Sequence, residues 1–138
     1  DDETTPLDFR TLALNAGLGH RSRLGLLLHP EFGPWWALRA ACFTTEPLPL
    51  SPPLRSAPPC AGCAAPCADA CPVRAPRESG FELQDCLAWQ ARSESCSGGC
   101  LARIHCPEGR SHAYDAAQHR YHHHPASRAA LWAGALTR

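Results

Sequence analysis

The chain has 138 residues, thirteen cations balanced by thirteen acids, only 7% aromatic residues, 14 prolines and 10 glycines. That is enough for one domain, or a domain and a half, with a modest core and many turns. Zero net charge argues against an electrostatic grip on nucleic acid, which depends on neutralising many phosphates, and no apolar run approaches the roughly 18 residues of a membrane span. All the cations are arginine and there is no methionine. A chain without an initiator Met reads as processed or as a piece of something longer. No signal peptide is visible, so the expected compartment is a reducing cytoplasm.

Residues 1–6 are acidic and polar, with Pro6 in a first-turn position. Leu7 to Asn15 has helical spacing, and Gly17 and Gly19 stop it. Gly25 to His29 is a short apolar run that suits a buried strand. A reversal at Phe32-Gly33-Pro34 leads into a second expected strand, Trp35 to Thr45, and the two are expected to pair. Within it the Trp35-Trp36 pair reads as core plus rim. Residues 46–59 hold six prolines and form a stiff, polyproline-like connector. Phe81 to Arg92 is the clearest helix, Leu101 to His105 is at most a helical turn, and Ser111 to Tyr121 is helical again. His122, His123 and His124 precede Pro125 and read as solvated linker, since three consecutive residues of a regular element cannot all face one ion. A last helix is expected from Ala126 to Leu136.

The cysteines carry the chemistry. Cys60, Cys63, Cys67 and Cys71 form one group ending in Cys-Pro, and Cys86, Cys96, Cys100 and Cys106 form a second with the same ending; Cys42 is left over. Thiolate is the soft ligand that holds Zn²⁺ or iron–sulfur clusters, and four per centre is the normal requirement. The Cys-Pro endings favour iron: two-cluster ferredoxins use C-x₂-C-x₂-C-x₃-C-P, whose last cysteine ligates the other cluster. The first group here is one residue longer, C-x₂-C-x₃-C-x₃-C-P. By the crossed arrangement one [4Fe-4S] cluster takes Cys60, Cys63, Cys67 and Cys106, and the other takes Cys71, Cys86, Cys96 and Cys100. Three closely spaced thiolates wrap one cluster, the chain leaves as a short helix, and its fourth sulfur points toward the second. Proline, with fixed φ and no N–H, suits that exit. Backbone N–H groups at Gly62 and Gly98-Gly99 are the expected stabilisers of the cluster charge.

Three plainer readings compete. Structural zinc needs only paired knuckles, and Cys60/Cys63 with Cys96/Cys100 would satisfy one site. A disulfide framework needs an oxidising compartment, and nine is an odd count. Cysteines that merely fill a core explain a lone Cys42 but not eight in this order.

Glu3 to Gly19 and Leu24 to Leu48 carry a further pattern: Pro6, Arg10, Ala16-Gly17-Leu18-Gly19, Leu26-Leu27 and Gly33-x-Trp35, followed by Cys71-Pro72, a lone Cys86 in a helix, and Cys106-Pro107. This resembles the cobalamin-dependent iron–sulfur epoxyqueuosine reductases over roughly residues 3–110. His29-Pro30-x-Phe32-Gly33-x-Trp35, Ala37-x-Arg39 and Tyr114-x-x-x-Gln118-x-x-Tyr121, with Pro125-Ala126-x-Arg128, are similar to the cobalamin-processing CblC proteins. The resemblance implies an α+β fold: a partial nitroreductase-like corrinoid scaffold over residues 1–56, a two-[4Fe-4S] ferredoxin-like module over 57–110, and a C-terminal helical segment over 111–138. Where the reductases have Trp-x-Gly-Lys, this chain has His20, Arg21, Ser22 and Arg23. The family's proton-donating aspartate falls nearest Glu3, with Asp1 and Asp2 as rivals. Most of the reductases' N-terminal half and any tRNA-binding repeat lie outside the match, so a missing half or a partner chain is expected to complete the pocket.

The function implied is electron delivery through two clusters to a bound corrinoid, from an external donor of flavodoxin or ferredoxin type, in a cobalamin-dependent reductase or corrinoid-processing protein. Trp35 or Trp36 would wall the corrin, His20, Arg21, Arg23 and Arg39 would meet its substituents, and Glu3 would be the acid. For each arginine the plain alternative is a solvated surface residue. For the whole chain the alternatives are a ferredoxin-type carrier without catalysis and a zinc-stapled structural module.

Overall fold

The computed structural model describes residues 8–54 and 56–123. Glu3 and its rivals, His124 and the expected last helix lie outside the described residues. What is described is mixed α and β: short helices, two two-stranded sheets and long turns.

Helix α1, Phe9–Asn15, begins where Asp8 supplies the cap. Its carboxylate accepts the N–H groups of Arg10 (2.9 Å) and Thr11 (3.2 Å) and the Thr11 hydroxyl (2.7 Å), satisfying donors that a helix start leaves orphaned. Those bonds, led by the Thr11 hydroxyl, hold the carboxyl below its ordinary range. Strand β1, His20–Arg21, pairs antiparallel with β2, Leu27–Leu28.

The second expected strand does not form. From Trp35 to Thr45 the chain makes no ladder, and residues 39–53 are exposed, Phe43 completely. The edge of β2 is already taken. His29 bridges to Gly33, and the Trp36 indole donates to the Leu27 carbonyl at 3.0 Å. β1 occupies the opposite edge. The proline-rich connector then runs outside and returns to dock through Leu54 N–H on the Gly17 carbonyl, 3.0 Å away.

The cysteine-rich part contributes α2, Pro66–Ala70; the hairpin β3, Pro76–Arg77, with β4, Gly80–Phe81; α3, Leu83–Gln90; and α4, Leu101–Ile104. α2 packs on α4. Leu24 and Leu28 from the first part bury against Cys67, Ala102 and Cys106 from the second, so one core serves both. A 3₁₀ turn, Arg110–His112, and α5, Ala116–His123, close the described chain. No helix among the described residues is long and apolar enough to cross a membrane.

His122 and His123 are not solvated linker. They lie in α5, ordered by tertiary contacts that periodicity does not register. His122 stacks on Tyr114 at 4.8 Å, His123 Nε2 accepts the Cys100 N–H at 3.2 Å, and His119 sits buried against the Trp35 ring. Trp35 is itself buried, and Trp36 is half-buried, the core-and-rim division expected of the pair.

The two parts meet most tightly at a glycine pair. Gly33 (φ +53°) lies on the backbone of Glu108, and Gly109 (φ +61°) lies on Phe32; a Cβ at either would run into the other segment's backbone. Gly33→Ala therefore combines left-handed strain with a clash, and a loss of about 1–3 kcal/mol is expected. Thermal denaturation should show it as a lowered midpoint. Gly98→Ala, where the added Cβ meets nothing within 4 Å, should move the midpoint little.

Candidate functional site

Each thiol is set by the local fold. Cys60 and Cys63 sit in consecutive turns, and Cys67 is buried on α2, which Pro66 starts at the first helical position. Cys71 caps the end of α2, Cys86 lies inside α3, Cys100 caps the start of α4, and Cys106 follows its end. All nine cysteines are free thiols in the structure.

Eight of the nine stand around two small, apolar voids. Cys60, Cys63, Cys67 and Cys106 line the first, with Leu24 and Leu28. Cys71, Cys86, Cys96 and Cys100 line the second, with Phe81 and Trp89. Among the described residues no three or more His, Cys, Asp or Glu side chains are gathered closely enough for a single metal ion. Cys42 is exposed and away from both voids.

The electrostatics follow the same division. Burial, the largest cause in each case, pushes the thiol pKa values of Cys67, Cys86, Cys100 and Cys106 above the ordinary 9.0. Cys60 and Cys63 raise Cys67 further, Cys60 and Cys67 raise Cys106, and Cys71 and Cys96 act on both Cys86 and Cys100. Hydrogen bonds work in the opposite direction. The N–H groups of Ala68, Arg103 and Glu108 face Cys67, Cys100 and Cys106. Ala65 and Ala75 donate to Cys63 and Cys71, each at 3.4 Å, and the Gln90 side chain donates to Cys86 at 3.0 Å. These donors, rather than Gly62 or Gly98-Gly99, are the ones in place.

These raised pKa values make the metal-free chain sensitive to alkaline pH. Below about pH 9 the thiols are neutral in folded and unfolded states alike. As pH rises past that ordinary value, the unfolded chain ionises first, so folding stability falls. Denaturant titrations of chelated, reduced protein should give a lower midpoint at pH 10 than at pH 8.

Beside the first void lies a groove of about 800 Å³, with Cys60 in its wall. Leu14, Leu26 and Phe81 make it apolar, and Arg10, Arg21 and Arg23 make it cationic. Arg23 also lines the first void and pairs with Glu78 at 3.6 Å. The remaining expected ligand-binding residues do not gather there. His20 bonds through Nε2 to the Ser56 hydroxyl at 2.9 Å. Trp36 lines an adjoining cleft with Phe9, Ala13 and Leu38, which shares Arg10, Leu26 and Leu27 with the groove. Trp35 is buried beneath the Arg103 guanidinium, and Arg39 is exposed.

Three residues of this region escaped the sequence reading as site residues. Arg10 lines both the groove and the Trp36 cleft, and helical spacing alone did not show which face α1 presents. Arg103 lies midway between Cys100 and Cys106. Gln90 lies one helical turn beyond Cys86, and that spacing was the available signal.

No protein-family model matches the chain, and no solved structure matches it. It spans about a quarter of the length of the curated relative it matches. Over 88 residues, 63% of this chain and 26% of the relative, it is 42% identical to the epoxyqueuosine reductase of Synechococcus sp. (strain CC9605).

Proposed function

We propose that the two thiol tetrads hold two [4Fe-4S] clusters, and that the chain is the electron-transfer part of a cobalamin-dependent reductase or corrinoid-processing protein. The observation that carries this reading is the crossed pair of tetrads, each around an apolar void of its own. The donor chemistry fits. Four soft sulfurs per void match cubane ligation, and iron would offset the burial, and after it the mutual repulsion, that raise the thiol pKa values. Backbone N–H groups already face the sulfurs, as a negatively charged cluster requires. A zinc ion would need its ligands drawn to about 2.3 Å of one point. Similarity to a reductase supports a redox role.

When bound, such clusters store and pass single electrons. The chain's part is to hold and shield them. Leu24, Leu28 and Pro107 keep water from the first tetrad, and Phe81, Trp89 and Leu101 from the second. The groove is the place proposed for the corrinoid, because its wall includes Cys60 and so brings a ligand within a short electron path of the first tetrad. Its volume suits a small-molecule site, commonly roughly 300–1,000 Å³. Arg21 and Arg23, with Arg10, would orient polar substituents, and the apolar wall would exclude water. Glu3 is proposed as the acid on the resemblance alone. An external flavodoxin- or ferredoxin-type donor would supply the electrons.

Anaerobically reduced protein should deliver about two electrons per chain to a one-electron acceptor, one from each cluster. Delivery of none would sink the redox reading. Titration with cobalamin should shift the corrin absorption bands, and Arg21→Ala with Arg23→Ala should weaken the shift. Full electron delivery with unshifted bands would favour the carrier without catalysis.

A further inference from the structure

Seven of the eight tetrad cysteines lie in turns, at helix ends or in the short α2, where backbone N–H groups remain free to face sulfur. Cys86 is different. It lies inside α3, where the N–H groups of the following turn are committed to the helix itself. Cys63 and Cys71 receive backbone N–H groups at 3.4 Å, whereas Cys86 and Cys96 meet side chains: Gln90 donates Nε2–H to the Cys86 sulfur at 3.0 Å, and the Ser95 hydroxyl lies 3.8 Å from the Cys96 sulfur. Four residues apart on one helix, the two side chains share a face. Both line the second void, and both are half-buried.

A hydrogen bond to a ligand sulfur stabilises the more negative state. Taking up one electron adds one negative charge to a centre, so such a bond is stronger after reduction and raises the potential. It also fixes the rotamer of a thiol that no backbone donor orients. We propose that Gln90 is a positioning residue which aims the Cys86 sulfur into the second tetrad and raises that centre's reduction potential relative to the first. The inference rests on the two-cluster reading above. The step itself is simple: one electron from the donor enters the centre, no covalent bond forms or breaks, and the amide proton stays on Gln90.

The test is a redox titration of the anaerobic holoprotein, followed by electron paramagnetic resonance, on the parent chain, Gln90→Leu and Gln90→Glu. The Cys106→Ser protein, carrying only the second centre, assigns the signals. Removing the donor should lower the reduction equilibrium constant of the second centre about tenfold, which is 59 mV for one electron, with the first centre and the iron content unchanged. Gln90→Glu should shift the same way, because a carboxylate offers no N–H and adds negative charge; it fills the same space and is read if Gln90→Leu loses iron. Unchanged potentials with full iron, or equal shifts in both centres, would overturn the proposal. A parent chain lacking iron and sulfide would instead overturn the two-cluster reading beneath it.

Discussion

Replacing Cys106 by serine should remove about four of the eight irons expected of a doubly loaded chain and leave the second centre intact. Cys106 follows α4, whose N-cap is Cys100, so in sequence it belongs with the Cys86–Cys96–Cys100 group. In space it lines the void of Cys60, Cys63 and Cys67, and it feels Cys67 and Cys60 electrostatically. Serine keeps the shape but replaces a soft thiolate by a poorly ionised hydroxyl. Cys71→Ser should do the mirror experiment, emptying the Cys86 centre although Cys71 ends the first motif. Iron analysis with electron paramagnetic resonance of the reduced variants reads both. Loss confined to the Cys86–Cys96–Cys100 centre in Cys106→Ser would mean that the ligation is not crossed.

Arg103→Ala should be the most damaging substitution outside the cysteines. The guanidinium lies 4.5 Å from the Trp35 ring centroid and 4.7 Å from that of Tyr114, and it donates to the Pro34 carbonyl. It therefore ties α4 to the N-terminal part and to the segment leading into α5. Cation–π contacts contribute about 0.5–2 kcal/mol each, and a hydrogen bond from a charged donor about 1.5–3 kcal/mol. These overlap, so a loss of roughly 3 kcal/mol is expected, read as a lowered denaturation midpoint. Arg103→Lys should recover only part of it, because an ammonium cannot stack as a planar guanidinium does. Since α4 separates Cys100 from Cys106, both centres should lose iron faster on warming. An Arg103→Ala protein with an unchanged midpoint would show that the aromatic clamp is incidental. Burial, and then the charge of Arg103, lowers the pKa of the neighbouring His119, which helps it pack as a neutral ring.

The helices were legible where their signals are local. The apolar spacing from Leu7 to Asn15 and the glycines after it mark α1, although the helix begins only at Phe9, after the Asp8 cap, and the span from Phe81 to Arg92 contains α3 with its ends trimmed. The motif order groups the thiols in the same way as the two voids they line. What the sequence hid depends on partners distant in the chain. Trp35 to Thr45 has the composition of a strand, yet Trp36 and His29 spend the edge it needs. His122 and His123 look like solvated linker until Tyr114 and the Cys100 N–H supply their contacts. The groove joins residues of α1, the β1–β2 turn and the β3–β4 hairpin, and no local pattern announces such a meeting. Of the six expected ligand-binding residues, Arg21 and Arg23 reach it; residue type suggested all six equally.

The most direct test of the account is iron, acid-labile sulfide and zinc measured on one anaerobically prepared sample. Two four-iron cubanes should give about eight irons and eight sulfides per chain, with little zinc. Zinc near two per chain without sulfide would contradict the two-cluster reading, and the tetrads would then be structural staples.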